Sequence, residues 1–376
     1  MNGMCIGLVG PLPPPSGGMA NQTRQLARLL ASEGMDVRLV QTNAPYRPRW
    51  AEKLQGIRAL FRLLPYLVNL WRTAGQVDLF HIMANSGWSW HLFAAPAIWI
   101  GRWRGIPVVL NYRGGEAETF FEKSFQWVRP SLDRVSAVVV PSDFLAGVFQ
   151  RRGVNVCIVR NIIDLERFAS PGRPSREQPD SPHLLVTRNL EPIYDIGTAL
   201  HAFRRVREVY PGARLTVCGS GPDRENLEAV SRELGSSDAV TFTGRLENDH
   251  IAGLYRTADV MINPSLADNM PISVLESLAS GVPVVSTDVG GVPYLVTHNE
   301  TALLVSPGDD RAMAEAIITV LGNPELADGL VQAGYRMIHD YSWPSVRGQL
   351  LAVYRAVLEG MARPSPGKRS ARRHSG

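Results

Sequence analysis

Short apolar runs alternate with amphipathic stretches along nearly the whole chain, and this alternation occurs in two successive sets. The runs of the first set are MCIGLVG, DVRLVQT, DLFHIMA, PVVLNY, SAVVVP and VCIVR, and those of the second are HLLVTR, RLTVCGSG, AVTFTG, DVMINP, PVVST and ALLVSP. Strands rich in Val, Ile and Leu that alternate with helices are typical of parallel sheets covered on both faces. The pattern therefore predicts an α/β protein with two doubly wound, Rossmann-like domains that face a central cleft.

The boundary between the two domains is predicted within residues 165–182, which are rich in Pro, Ser and charged residues. A chain of 376 residues is long enough for two domains of ~100–200 residues each. We expect a first domain over 1–165 and a second over 166–342. The basic segment 364–376 has no large apolar residue and is predicted to be disordered.

The composition argues against a membrane-spanning or disulfide-linked protein. Hydrophobic residues make up 45% of the chain, but the longest nearly apolar run, 90–101, is shorter than the ~20 residues of a transmembrane helix. The N-terminus lacks the basic region of a signal peptide. Cys5, Cys157 and Cys218 are far apart and show no metal-binding spacing, which favours a reducing, cytoplasmic location.

Charge is distributed unevenly along the chain, whose net charge is +4. Residues 1–170 carry a balance of +8, residues 171–363 carry −8, and the remaining segment adds four cations. A basic first half indicates an anionic surface or substrate. No module that interleaves basic and aromatic residues is visible, so we expect no nucleic-acid partner.

Two stretches are candidates for anion binding. Gly17 and Gly18 precede the first predicted helix, where backbone N–H groups can approach an anion; the alternative is a turn that only requires positive φ. The second stretch is 263–293, in which Asp268 or Asn269 is predicted to cap a helix that begins near Pro271. A helix N-terminus there would hold a phosphate, and nearby carboxylates would bind hydroxyl groups of a ribose or hexose.

The block 263–293 resembles the donor-binding region of glycosyltransferase family 4, whose members are retaining nucleotide-sugar transferases with the GT-B fold. The resemblance covers roughly 4–360 and implies that a last helix, 343–361, packs back on the first domain. The family's Glu-x7-Glu element corresponds to Asp268 and Glu276, so an Asp replaces the first Glu. The resemblance implies that Asp268 contacts the donor sugar and Glu276 the nucleotide ribose.

The resemblance implies further donor contacts in the second domain. The backbone of Asn269, Met270 and Ile272 would face the diphosphate, although Pro271 lacks an N–H donor. Arg188 corresponds to a phosphate-binding Arg of the family and suits a bidentate contact. The family's Lys is absent, since Ile193, Tyr194 and Asp195 occupy its neighbourhood.

Three glycines complete the predicted donor site. Gly219 and Gly221 resemble the family's glycine turn, for which a tight turn without a ligand is the alternative. Gly244 belongs to a segment similar to the one whose backbone meets the nucleobase in the family.

In the first domain, Arg113 stands where many family members have a His. Arg cannot act as a general base, but it can stabilise a leaving diphosphate and replace the missing Lys. Glu116 and Glu118 are acid/base or acceptor-binding candidates, with exposed loop residues as the alternative. His81 matches another family position, with a structural role as the alternative.

Residues 46–75 predict a basic amphipathic helix. Its apolar residues are Trp50, Leu54, Ile57, Leu60, Phe61, Leu64, Leu67 and Trp71, surrounded by Arg and Lys. Such a helix can lie in an anionic membrane interface, which predicts peripheral attachment and a lipid-linked acceptor. The alternative is that the apolar stripe packs on the sheet.

No Asp-x-Asp occurs and the eight histidines show no metal-ligand spacing, so we expect neither a metal nor another cofactor. The leading hypothesis is a hexosyltransferase that moves a sugar from a nucleotide-sugar donor to a lipid-linked or polysaccharide acceptor in cell-envelope biosynthesis. The resemblance implies retention of anomeric configuration. The alternatives are a sugar-nucleotide epimerase on the same fold and a degenerate GT-B module that binds a glycan or nucleotide without catalysis.

Overall fold

The computed structural model describes residues 3–14, 17–46, 58–169 and 180–360. The central part of the predicted linker, the first part of the predicted amphipathic helix and the predicted disordered segment 364–376 lie outside these ranges. Within them, the chain forms two parallel sheets flanked by helices, which confirms the predicted fold class.

The first sheet has six parallel strands in the order β2-β1-β3-β4-β5-β6. Its strands are β1 Cys5–Gly10, β2 Asp36–Gln41, β3 Leu79–Ala84, β4 Val108–Tyr112, β5 Ala137–Val140 and β6 Cys157–Ile158. The helices between them are α1 Gly18–Ser32, α2 Arg58–Ala74, α3 Ala95–Trp103, α4 Ala117–Leu132 and α5 Asp143–Gln150. The inner strands β3 and β4 are buried along their whole length, because helices cover both faces of the sheet.

The second sheet also has six parallel strands, in the order β12-β11-β10-β7-β8-β9. Its strands are β7 His183–Thr187, β8 Arg214–Cys218, β9 Val240–Gly244, β10 Val260–Asn263, β11 Val284–Thr287 and β12 Leu303–Val305. The accompanying helices are α6 Leu165–Phe168, α7 Ile196–Val209, α8 Arg224–Glu233, α9 Asn248–Thr257, α10 Ile272–Ala279, α11 Asp310–Gly322 and α12 Pro324–Ile338. Apolar clusters lie on both faces of this sheet.

The last helix, α13 Trp343–Leu358, packs on the first domain. Its Leu350 and Tyr354 share an apolar cluster with Ile6 and Leu8 of β1. The indole N–H of Trp343 donates to Glu33 Oε1 at 2.9 Å. One face of the first sheet is therefore covered by residues from the far end of the described chain.

Helix α2 packs only part of the predicted stripe on the first domain, where Leu67 packs against the apolar core. Tyr66 and Leu70 are buried, whereas Leu64 and Trp71 of the stripe are 60% and 48% exposed. Val68, also 50% exposed, lies between them on the outward face. None of the described helices is both long and apolar enough to span a bilayer.

Candidate active site

The cleft between the two domains has a volume of about 1510 Å³ and is lined by loops that follow strands of both sheets. In parallel α/β sheets, ligands bind beyond the carboxyl ends of the strands, which is where these loops lie. The predicted site residues on its walls are Gly17, Gly18, Arg113, Glu116, Arg188, Gly219, Asp268, Asn269, Met270, Ile272 and Glu276. Gly221 and Gly244 are not among the residues that line it.

Arg188 and Asp268 form an ion pair on the second-domain wall. The Arg188 guanidinium also donates to Ser265 Oγ at 3.0 Å and lies 4.5 Å from the ring centroid of Tyr194. Both side chains of the pair are nearly buried, with 11% and 12% exposed, and burial lowers the pKa of Arg188. The two residues predicted to bind different parts of the donor are thus paired with each other in this structure.

The prediction that Asp268 or Asn269 caps the helix in this loop is wrong. Helix α10 begins at Ile272, its N-cap position is Pro271, and no side chain caps it. Asp268 lies too far ahead of the helix and instead accepts a hydrogen bond from the Asn269 N–H at 2.8 Å. The uncapped N-terminus of α10 faces the cleft, where its N–H groups and helix dipole favour an anion.

Glu276 lies on α10 beside a residue that the sequence analysis missed, Tyr255. The Tyr255 hydroxyl is 3.2 Å from Glu276 Oε2, 3.0 Å from the Ser273 carbonyl oxygen and 2.6 Å from Thr187 Oγ1. Burial raises the pKa of Glu276 to about 7, although the Tyr255 hydrogen bond and the charge of Arg188 lower it. No sequence motif marked Tyr255, which reaches the site from α9.

The raised pKa of Glu276 predicts a pH dependence of stability. The pKa is about 7 in the folded protein against 4.5 for an ordinary Glu, so folding favours the protonated carboxyl. This stabilisation is fully present below pH 4.5 and is lost as the pH rises through 7. Glu276→Gln should therefore raise the free energy of unfolding by up to about 3 kcal/mol at pH 8 and by much less at pH 5.

Urea unfolding at the two pH values measures this difference. The control is Glu233→Gln, which removes an exposed carboxyl from α8 and should change stability equally little at both. An equal effect of Glu276→Gln at pH 5 and pH 8 would show that burial does not perturb this carboxyl.

The glycines after β8 support the turn that carries Arg188. A Cβ on Gly219 would overlap the carbonyl oxygen of Arg188, and one on Gly221 would overlap that of Leu190. Gly244 has φ +71° and accepts a hydrogen bond from the Gly219 N–H at 3.0 Å. Close approach of two backbones, rather than a tight turn alone, therefore requires glycine at positions 219 and 221.

Gly17 and Gly18 occupy the N-terminus of α1 on the cleft wall. Gly17 has φ −172°, which is extended backbone that any residue adopts, so the alternative of a turn that needs positive φ is wrong for it. A Cβ on either glycine would meet no atom within 4 Å. The open space above them leaves the helix N-terminus accessible from the cleft.

A second glycine pair, Gly290 and Gly291, supports the Asp268 loop and was missed as a site feature. A Cβ on Gly290 would overlap the carbonyl oxygen of Asp268, and one on Gly291 would overlap that of Asn269. The Gly291 N–H donates to the Asp268 carbonyl at 2.9 Å. The Gly-Gly sequence at the end of the block 263–293 was the available signal.

Arg113 is held on the first-domain wall by three amide oxygens. Its Nε donates to Asn111 Oδ1 at 3.1 Å, and one terminal nitrogen donates to Asn161 Oδ1 at 2.5 Å and Gln22 Oε1 at 3.4 Å. Burial lowers its pKa to about 10, so the guanidinium stays charged at neutral pH. No carboxylate among the described residues forms an ion pair with it, so its charge is available to an anion in the cleft.

Three consecutive hydrogen bonds connect Arg113 to α13, and the chemistry of the side chains determines which atom donates in each. Arg donates only, so Asn111 Oδ1 is the acceptor and its Nδ2 faces His81 Nε2 at 3.1 Å. His81 Nε2 must then accept, and Nδ1–H donates to the Tyr354 hydroxyl at 2.7 Å. His81 is completely buried and its pKa is lowered to about 3 by burial, so it is a neutral structural residue outside the cleft.

Of the two acidic candidates of the first domain, Glu116 and Glu118, only one lines the cleft. Glu116 is exposed at the N-terminus of α4 and lines the cleft. Glu118 forms an ion pair with Arg151 at 2.8 Å and does not line the cleft. Glu116 is therefore the carboxylate of this pair that can reach a bound substrate.

Two hydrogen bonds join the first domain to the loop that carries Asp268. Ser142 Oγ donates to Asn269 Oδ1 at 2.7 Å, and Asn161 Nδ2 donates to the Met270 carbonyl at 3.4 Å. Asn161 also accepts from Arg113, so one side chain contacts both walls. Neither Ser142 nor Asn161 carried a sequence signal, because such contacts depend on how the domains meet.

Family comparisons cover most of the chain. Residues 16–167 match the profile described as "Glycosyltransferase Family 4", and residues 173–337 match "Glycosyl transferases group 1". Over 93% of this chain and 94% of the relative, it is 25% identical to a glycogen synthase of Mycobacterium tuberculosis. Over 94% of this chain and 97% of the relative, it is 26% identical to a phosphatidyl-myo-inositol mannosyltransferase of Mycobacterium leprae.

Solved structures share the fold across nearly the whole chain. A sucrose-phosphate synthase from Thermosynechococcus elongatus has a TM-score of 0.77 at 21% identity, covering 95% of this chain and 99% of that one. HepE of Anabaena in complex with UDP-glucose has a TM-score of 0.72 at 16% identity, covering 93% and 99%. The two-domain fold is therefore shared with these structures.

Proposed function

The chain belongs to glycosyltransferase family 4, and from that premise we propose that it transfers a hexose from a nucleotide-sugar donor to a hydroxyl of a lipid-linked saccharide or polysaccharide, with retention of anomeric configuration. It is a glycosyltransferase with the GT-B fold. The relatives named above are transferases and synthases, so nothing in the comparisons favours the epimerase or the non-catalytic alternative.

The observation that carries the donor assignment is the convergence of Arg188, Asp268 and Glu276 on one wall of the cleft. The buried Nε of Arg188 has no acceptor among the described residues, so a phosphate oxygen of the donor can accept from it. The uncapped N-terminus of α10 offers further donors to the same diphosphate. Asp268 would then accept from sugar hydroxyls, and Glu276 from the ribose.

Transfer breaks the bond between the anomeric carbon and the diphosphate oxygen and forms a bond to the acceptor oxygen. The negative charge that develops on the diphosphate would be stabilised by Arg188 on one wall and Arg113 on the other. The acceptor hydroxyl loses a proton, and Glu116 is the exposed first-domain carboxylate on the cleft wall that can receive it. Water would be excluded when the walls close on the donor.

The donor site is tested by titrating the protein with nucleotide diphosphates and nucleotide sugars that differ in base and sugar. The midpoint of thermal unfolding is measured for each. A ligand present at ~100 times its Kd stabilises by about 2.7 kcal/mol, which raises the midpoint by several degrees. We expect such a rise with one nucleotide sugar in wild type and its loss in Asp268→Ala, Glu276→Ala. The titrations are run in EDTA, because we infer that the arginines and α10 replace a metal at the diphosphate.

The matched control for this double variant is Glu233→Ala, Glu300→Ala, which removes two exposed carboxylates outside the cleft. It should respond to the nucleotide sugar as wild type does. A response that requires Mg²⁺ would overturn the metal-independent mechanism. The absence of any response, with or without Mg²⁺, would overturn the proposed donor site.

The outward face of α2 supports a peripheral position on an anionic membrane at its cytoplasmic side. Leu64, Val68 and Trp71 recur at helical spacing and are each about half exposed or more. The guanidinium of Arg104 lies 4.9 Å from a ring centroid of Trp71, which places a cation beside the apolar face. An apolar stripe flanked by cations is the chemistry that recognises anionic lipid headgroups.

Vesicle flotation tests this contact. At low salt the protein should float with phosphatidylglycerol vesicles and stay at the bottom with phosphatidylcholine vesicles. Replacing Leu64, Val68 and Trp71 by Gln should abolish flotation, whereas Val209→Gln, Leu358→Gln, which alters exposed apolar residues elsewhere, should not. A protein that stays at the bottom with anionic vesicles would refute the membrane contact.

A further inference from the structure

One face of α1 carries cations into the cleft. Asn21, Arg24, Gln25 and Arg28 all line the cleft, and their spacing of three and four residues places them on one side of the helix. Arg24 is partly exposed and Arg28 is exposed. Neither forms an ion pair with a carboxylate of the described residues, in contrast to Arg188.

The first-domain wall of the cleft has an excess of positive charge. Its charged side chains are Arg24, Arg28, Arg113, Lys123 and two carboxylates, Glu116 and Asp164, of which Asp164 already pairs with Arg167 at 3.2 Å. Glu33, near the end of α1, is already engaged by the Trp343 indole at 2.9 Å and by Arg347 at 3.1 Å. The cations of α1 are therefore not neutralised by the described carboxylates of their own domain.

These cations lie further along α1 than Gln22, the residue of this helix that contacts Arg113. Gln22 marks where the helix passes Arg113, since its Oε1 accepts from that guanidinium at 3.4 Å. At ~1.5 Å per residue, Arg24 and Arg28 lie ~3 and ~9 Å further along the axis, towards Trp343. This part of the cleft is lined by the first domain and by α13, whereas Asp268 and Glu276 belong to the second domain.

We propose that Arg24 and Arg28 form a binding site for a phosphate group on the acceptor, so that the preferred acceptor is phosphorylated. Two guanidinium groups four residues apart on a helix are separated by ~6 Å of axial rise and can each bind a phosphate bidentately. This inference rests on the proposed transferase function and specifies its acceptor. The phosphate belongs either to a small sugar phosphate or to a phospholipid headgroup.

The first test uses inorganic phosphate as the probe and needs no acceptor. Wild-type protein saturated with the nucleotide diphosphate that gives the largest midpoint rise is titrated with phosphate, with chloride at equal ionic strength as the reference. We expect phosphate to raise the midpoint further, and Arg24→Gln, Arg28→Gln to weaken this binding at least ~100-fold, since each charged contact contributes ~10-fold or more. The control Arg232→Gln, Arg336→Gln removes two exposed cations outside the cleft and should bind phosphate as wild type does.

The second test measures nucleotide release from the nucleotide sugar with matched acceptors. Hexose and hexose 6-phosphate, and inositol and inositol phosphate, form the soluble pairs. Phosphatidylcholine vesicles that contain either diacylglycerol or phosphatidylinositol form the lipid pair, because both added lipids have a free hydroxyl and only the second has a phosphate. The phosphorylated or anionic member of one pair should give kcat/KM at least ~10-fold higher, and which pair responds identifies the source of the phosphate. The gain should disappear in Arg24→Gln, Arg28→Gln and persist in the control variant.

The outcomes of the two tests distinguish a failure of the acceptor inference from a failure of the proposed donor site. Wild-type protein that responds to a nucleotide sugar but shows no phosphate effect beyond chloride overturns the acceptor inference alone. A phosphate effect that persists in Arg24→Gln, Arg28→Gln also overturns it, because another site then binds the anion. Protein that responds to no nucleotide sugar overturns the proposed function itself.

Discussion

Replacing Arg188 with Gln is expected to reduce transferase turnover ~10²–10³-fold and to destabilise the fold by about 3–5 kcal/mol. The loss of turnover follows from removing a charge that would stabilise the leaving diphosphate. The loss of stability follows because Asp268, with only 12% of its side chain exposed, would keep a nearly buried charge without its partner. Initial rates of nucleotide release and urea unfolding measure the two effects separately.

The chain contains a matched control for this substitution. Arg205 pairs with Asp310 at 2.6 Å on the surface, where the two side chains are 48% and 32% exposed. Arg205→Gln should change stability much less than Arg188→Gln does and leave turnover unchanged, because an exposed pair is screened by water. Equal losses in Arg188→Gln and Arg205→Gln would show that the cleft pair has no special role.

A double-mutant cycle with Asp268→Asn identifies the origin of the destabilisation. If the cost of Arg188→Gln arises from an unpaired Asp268 charge, removing that charge should recover part of the stability. Turnover should not recover, because the diphosphate would still lack its cation. Additive losses of stability would contradict the ion-pair explanation.

Gly291→Ala is expected to abolish donor-induced stabilisation. A Cβ at this position would overlap the carbonyl oxygen of Asn269, which is backbone and can move only if the whole Asp268 loop moves. We expect a destabilisation of about 3 kcal/mol from the overlap. A displacement of ~1 Å at a reacting group can cost ~10²-fold in rate. The thermal response to the nucleotide sugar and the rate of transfer are the measurements.

Gly329→Ala is the control for this backbone effect. Gly329 lies in α12, and a Cβ there would meet no atom within 4 Å. Alanine in a helix interior is favoured over glycine by ~0.5–1 kcal/mol, so this variant should be as stable as wild type or slightly more stable. A Gly291→Ala protein that still responds to donor would mean that the Asp268 loop tolerates displacement.

Local patterns were sufficient to predict the two sheets and the cleft. Twelve apolar runs predicted the strands, because strands buried on both faces must be continuously apolar. The position of the cleft followed from the parallel direction of the strands, which places their carboxyl ends together. Asp268 was identified as a helix-cap candidate in the loop after such a strand, whereas Arg188 was identified only through the resemblance to the family.

The contacts within the site depend on residues far apart in sequence, and local patterns did not predict them. Asp268 was expected to cap a helix, but the Arg188 charge is close enough to pair with it. Tyr255 reaches Glu276 from a different helix, and Ser142 reaches Asn269 from the other domain. Periodicity and spacing describe one segment at a time, so they contain no information about these distances.

The packing of α13 on β1 determines the order in which the domains can be completed during synthesis. The residues of the first sheet end at Ile158, but the cluster on one of its faces includes Val357. At ~5–20 residues per second, a ribosome needs roughly 10–40 s to make the intervening chain. During that interval Ile6 and Leu8 lack the part of their cover that α13 provides, whereas the second domain has all its strands before α13 emerges. The domain made first is therefore the last to finish folding, and it is exposed to chaperones and proteases for the longest time.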